Sequence, residues 1–170
     1  MAHDPALLDR LEALELREWT GRAFRYTAGR RPPERENTLG ARWNSREVPA
    51  IYVSLEHETV LAEFAHHLDA LSPRPSRASF TLYELDLRVE NVADLRDAGV
   101  LDRLGIGRQQ LAEDDFAACQ KVGAAAAWLR IGALLVPSAR LTTGSNLVVF
   151  SHNQEGGFTF EIAAEHELRS

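Results

Sequence analysis

Several residues in this sequence have the chemistry for more than packing, because each is polar or aromatic and sits among apolar neighbours. Arg25 lies within Phe24-Arg25-Tyr26, and Arg42-Trp43-Asn44 closes a stretch dense in Arg, Pro, Glu and Asn. Tyr52 and Ser54 belong to the apolar segment around Ile51 to Val53, and Glu63 is flanked by Leu61-Ala62 and Phe64-Ala65. Ser138 ends the run Leu134-Leu135-Val136-Pro137, and Asn146 opens another. Guanidinium groups bind phosphate through a bidentate fork and keep their charge. Aromatic faces stack on flat bases. A carboxylate beside an oxocarbenium-like centre stabilises the developing positive charge or orients the attacking nucleophile. Together the set suits a dinucleotide whose glycosidic bond is to be broken.

Taken singly, each residue also has a plainer reading. Arginines in an acid-rich chain pair with surface carboxylates, and Trp43 and Tyr52 fit as core aromatics. Ser138 can turn the chain after a proline, and Asn146 can cap a strand. Patterns for other chemistries are missing: there is no phosphate loop, no GxGxxG after a strand, no HExxH, no pair of CxxC motifs and no GxSxG elbow. His66 and His67 are adjacent, so on a helix they point to different faces and make a poor metal pair. No metal is expected.

The elements that must hold these residues follow from periodicity. Leu7, Leu8, Leu11 and Leu14 predict an amphipathic helix over Pro5 to Trp19. Gly21 to Tyr26 reads as a short strand. Thr27 to Arg46 has no period and predicts a long ordered loop, a common place for function. Pro49 to Ser54 predicts a strand, with Ser54 as N-cap of a helix reaching about Leu71 and ended by Ser72 to Ser76. Tyr83, Leu85, Leu87 and Val89 alternate with Glu84, Asp86 and Arg88, the signature of a half-buried strand. A short helix over Asp94 to Leu104, a longer one over Asp114 to Arg130, and strands at Ala133–Pro137, Asn146–Phe150 and Phe158–Ile162 complete the reading. The fold class expected is α+β, one domain with a mixed central sheet and flanking helices. Residues 1–20 form the N-terminal helix and 21–170 the main domain.

Composition narrows the setting. With 170 residues and 45% hydrophobic content the chain can bury a core without staples. The single cysteine, Cys119, excludes an internal disulfide and suits a reducing compartment. A formal charge of -6 excludes a global basic surface, so direct nucleic-acid binding by the chain alone is not expected. No apolar run approaches a membrane span, and the N-terminus lacks the pattern of a secretory signal, so the expected location is cytoplasmic with no membrane contact.

The ordered set Arg25, Gly40-Ala41-Arg42-Trp43-Asn44, Pro49-Ala50-Ile51-Tyr52, Ser54, Glu63, Val136-Pro137-Ser138-Ala139 and Asn146 resembles the RES domain, over about Gly21 to Asn153. This is the toxin family of bacterial RES–Xre toxin–antitoxin pairs. Gln120 and Gly123 ahead of Trp128 extend the likeness. The sequence departs from the family pattern at Ala41, at Glu47 and at Phe150-Ser151-His152.

The resemblance implies a fold similar to diphtheria-type ADP-ribosyltransferases, with a central cleft for NAD. It implies a toxin that degrades NAD by cleaving the nicotinamide–ribose bond, by hydrolysis or phosphorolysis. An Xre-type antitoxin with a helix-turn-helix would neutralise it. Carried over residue by residue, Glu63 serves cleavage, Arg42 and Tyr52 complete the catalytic set, and Arg25, Tyr26, Asn44, Ser54, Ser138 and Asn146 hold the dinucleotide. The alternatives are ADP-ribosyl transfer to a protein target, or a nucleotide-binding module without turnover.

Overall fold

In the computed structural model, which describes residues 2–71, 73 and 79–169, the chain opens with helix α1 (Pro5–Glu12). Asp4 caps it by accepting from the Ala6 N–H at 3.0 Å, and Pro5 takes the first helical position, where no N–H is needed. The expected helix to Trp19 is corrected. α1 ends at Glu12, and strand β1 (Leu16–Ala28) has begun before Trp19. The leucines at 7, 8, 11 and 14 do form one apolar face. Leu16, Arg17 and Glu18 are all exposed, so no alternation separates the start of β1 from that face. Backbone pairing decides the point.

That pairing is extensive. β1 runs antiparallel to β3 (Ser79–Asp94) from Leu16↔Ala93 to Ala28↔Phe80, and meets β2 (Ile51–Ser54) through Phe24↔Ser54. β2 pairs with β5 (Ser145–Val149), β5 with β4 (Ala133–Pro137), and β4 runs parallel to Val92–Asp94 at the end of β3. The strands β1-β2-β5-β4-β3 thereby close on themselves, and β6 (Thr159–Arg169) is added outside on β3. Closure leaves little open edge around the ring. Its interior is filled by Val53, Leu85, Leu87, Val89, Leu135 and Leu147 among others.

The alternation read in β3 is what fills that interior: Leu85, Leu87 and Val89 are buried, and Asp86 and Arg88 are exposed. Asn91, at φ 53°, breaks the period, so Val92 and Ala93 are both buried where β3 turns to meet β4. The opposite faces of β4 and β5 present Leu134, Val136 and Val148 to a second core, shared with α1 and with α5 (Ala117–Trp128). The run of alanines read in that helix lets it approach closely, with Ala125 and Ala126 fully buried.

Helix α2 (His57–Ala70) follows β2 after two residues. Ser54 is not its cap, a second correction: Ser54 stays in β2, paired with Asn146, and Glu56 takes the N-cap position. The expected breaker Ser72 to Ser76 lies, apart from Pro73, outside the described residues. α3 (Ala98–Arg103) and α5 fall inside their expected ranges. α4 (Arg108–Ala112) was not expected, and none of its residues is buried, so it leaves no apolar pattern. The result is an α+β domain, a mixed sheet with flanking helices, and none of those helices is long and apolar enough to cross a membrane.

Candidate active site

The long segment between β1 and β2 forms no helix or strand, as its composition predicts, and it roofs a cavity of about 500 Å3. That volume lies within the roughly 300–1,000 Å3 of ligand sites. β1 contributes Arg25 and Tyr26, β2 Tyr52 and Ser54, α2 Glu63, and β5 Asn146. Residues separated by more than a hundred positions therefore share one wall. β1 and β2 converge at Phe24↔Ser54, and Ser54 pairs on its other side with Asn146.

Glu63 is held in this cavity by two hydrogen bonds. Its Oε1 accepts from Ser138 Oγ at 2.8 Å and from Asn146 Nδ2 at 3.1 Å. Ser138 Oγ itself accepts from the Arg140 and Leu141 N–H groups at 3.1 and 3.2 Å, so its proton is directed at the carboxylate. Glu63 Oε2 has no partner among the described residues. A carboxylate pinned by one oxygen can present the other to a ligand. Asn146 Oδ1 is buried without a hydrogen-bond partner among the described residues.

Arg25 donates to the Pro33 carbonyl, which ties β1 to the roof. Burial pushes its guanidinium down to about 10, with Glu34 and Tyr26 acting in the opposite sense. Tyr26 is pushed up to about 12, chiefly by burial and then by the Glu63 charge. At neutral pH the cavity therefore holds a cation and a neutral phenol close together.

Tyr52 faces the cavity, while its hydroxyl works for the roof. It donates to Asn44 Oδ1 at 2.8 Å and accepts from the Trp43 N–H at 3.0 Å. Asn44 is fully buried, and its Nδ2 donates to the carbonyls of Asn37, Ser45 and Val48. Asn44 is thus the internal staple of the loop and does not line the cavity. Burial raises the Tyr52 phenol well above its ordinary value. Trp43, 2% exposed, is a core residue.

Arg42 is not brought to this cavity. Its guanidinium donates to the carbonyls of Gln110 at 3.1 Å and Glu113 at 2.8 Å, and it lies 4.7 Å from the centre of the Phe116 ring. Those carbonyls are at the C-terminal end of α4, where a cation is favoured. Burial lowers its affinity for the proton and the Arg140 charge adds to that, against Cys119, Glu63 and Asp114. The sequence showed an arginine beside a tryptophan but gave no sign of the helix end that occupies it.

Sequence reasoning missed other parts of the wall. Arg31, Arg35, Glu36 and His67 line the cavity. Glu36 accepts from Ser151 Oγ and pairs with His152 Nε2 at 3.1 Å, so the departure at Phe150-Ser151-His152 supplies a strut for the roof. His67 stands four residues after Glu63, one helical turn away on the same face, and that spacing was its only signal. Among the described residues no group of three or more His, Cys, Asp or Glu could hold a metal ion.

The RES domain family model matches residues 8–169. The chain belongs to the RES domain family. Its curated relatives include the NAD(+) phosphorylase MbcT of Mycobacterium tuberculosis and that of Mycobacterium bovis. Each is 30% identical over 160 residues, which covers 90% of this chain and 84% of the relative. Among solved structures, the M. tuberculosis MbcT–MbcA toxin–antitoxin complex contains a chain that this RES domain matches with a TM-score of 0.84. That match has 27% identity and covers 99% of this chain and 94% of the other.

Proposed function

We propose that this RES domain is a toxin that cleaves the nicotinamide–ribose bond of NAD, with phosphate as the acceptor. The observation that carries the reading is Glu63: its Oε1 is fixed by Ser138 and Asn146, and it lines a cavity shared with Arg25 and Tyr26. The name NAD(+) phosphorylase carried by MbcT, a relative at 30% identity over most of both chains, supports the choice of NAD and of phosphate.

Arg25 holds the pyrophosphate as a half-buried cation, and the rings of Tyr26 and Tyr52 flank the nicotinamide riboside. As the C–N bond breaks, nicotinamide leaves with the bonding electron pair and the ribose carbon becomes cationic. The Glu63 carboxylate stabilises that charge. A phosphate oxygen then bonds to the same carbon, giving ADP-ribose 1-phosphate and free nicotinamide; water in its place gives ADP-ribose and a proton. Ser138 holds Glu63 in place, the unpaired Asn146 Oδ1 accepts an N–H of the ligand, and Ser54 completes the floor. Arg42 acts from behind the roof, by fixing α4 against the loop.

The fold kinship we propose is with diphtheria-type ADP-ribosyltransferases, supported by the closed strand ring with a cleft at its β1–β2 seam. The partner we propose is an Xre-type antitoxin with a helix-turn-helix. The toxin–antitoxin complex of MbcT supports a protein partner, and a net charge of -6 leaves DNA binding to that partner. The location we propose is cytoplasmic, supported by NAD as the proposed substrate and by the buried free thiol of Cys119.

Phosphorus NMR of NAD incubated with the purified protein tests the reaction. In phosphate buffer ADP-ribose 1-phosphate should accumulate, and in phosphate-free buffer turnover should fall steeply. ADP-ribose as the sole product in both buffers would assign the acceptor to water.

A further inference from the structure

We infer that His67 is a positioning residue for the ligand cavity, acting through the hydroxyl of Tyr26. The inference rests on the proposed NAD reading and assigns that site a further part. His67 Nδ1 lies 2.9 Å from Tyr26 Oη, and both side chains line the cavity with Glu63. Helical geometry explains the placement: residues four apart on α2 project from one face, so the turn that delivers Glu63 to the ligand also delivers His67 to its edge. The Tyr26 ring is packed edge-on by Phe64 at 5.1 Å and lies 6.4 Å from Phe80, which limits its tilt. The His67 ring is set edge-on to Phe80, with 6.2 Å between ring centres. Ring packing alone sets the plane of the phenol and leaves its hydroxyl to find a partner at the ring's end. The hydrogen bond to His67 selects one setting and presents a fixed aromatic wall beside Glu63.

His67 is itself exposed, so this bond adds little to the core, and truncating it opens no cavity. Its effect should therefore appear in ligand binding and not in stability. Tyr26 is where that effect must pass, since the bond to its hydroxyl is the link between His67 and the cavity wall.

The test is a double-mutant cycle on the full chain with His67→Ala, Tyr26→Phe and the double variant, read by KM and kcat for NAD and by melting temperature. NAD affinity is measured by calorimetry in a Glu63→Gln background, where NAD is not consumed. His67→Ala and Tyr26→Phe should each raise KM and the calorimetric Kd about fivefold, the size of one neutral hydrogen bond. For His67→Ala the loss should fall on KM far more than on kcat, with melting unchanged. The double variant should be no worse than either single one, and His67→Asn, which keeps a polar atom near the Nδ1 position, should restore most of the affinity. Equal losses from His67→Ala with and without the Tyr26 hydroxyl, or no loss at all, would overturn the inference while the NAD reading stands. If the parent chain does not bind NAD, the functional reading fails and takes this inference with it.

Discussion

At the scale of single residues, Glu63 and Tyr52 should fail in different ways. Glu63→Gln keeps an acceptor oxygen for Ser138 and Asn146, so the melting temperature should move by no more than about 2 °C while kcat falls by at least about 100-fold. Tyr52→Phe removes the partner of both the Trp43 N–H and Asn44 Oδ1. Leaving such buried groups unpaired costs about 1–3 kcal/mol, a fall in melting temperature of about 3–10 °C for a chain of this size. Any activity loss in Tyr52→Phe should therefore track the fraction unfolded or the mobility of the roof, which hydrogen exchange over residues 37–48 would read. Arg25 sets the alkaline limit. Its folded-state value of about 10 lies below its ordinary one, so the folded chain holds this proton less tightly than the unfolded chain. The stability cost of burying the charge is present in full below about pH 10 and fades as pH climbs above it. NAD affinity moves the other way, steady from neutrality upward and falling as pH passes about 10, a trend calorimetry can follow.

At the scale of elements, α5 decides where the roof lies. A Cβ added at Gly123 would come within 1.7 Å of the Trp43 carbonyl oxygen, so helix and loop can touch only at glycine. Gln120, one turn earlier, donates to the carbonyls of Ala41 and Asn44. Gly123→Ala should cost about 3 kcal/mol, lowering the melting temperature by about 6–12 °C, with KM for NAD rising in the fraction that stays folded. Much of this arrangement was legible. The alternation at Tyr83 to Val89 and the apolar run Ala133 to Pro137 are strands because their faces are packed, and packed faces leave a pattern. The start of β1, most of β6 and all of α4 were not legible, because they are exposed and only backbone pairing or a single turn of hydrogen bonds defines them. The same logic applies in the cavity. Glu63 stood out between apolar neighbours, whereas His67 and Glu36 looked like ordinary surface residues until the loop and helix met.

At the scale of the whole molecule, closure of five strands into a ring brings Arg25, Glu63 and Asn146 to one cavity from three distant parts of the chain. The outer face of β1 and β3 is laced by Arg22 with Asp86 and Glu84, and by Arg88 with Glu18. With both signs interspersed there and a charge of -6 overall, the chain by itself should not retard operator DNA in a gel at physiological salt, and should do so only with the proposed antitoxin added. The most direct measurement is free nicotinamide released from NAD in phosphate buffer by the purified chain, beside the Glu63→Gln variant at equal NAD occupancy. Rapid release by the former and almost none by the latter is expected. Equal release by both, or NAD left intact by a folded, antitoxin-free preparation, would contradict a site built around Glu63.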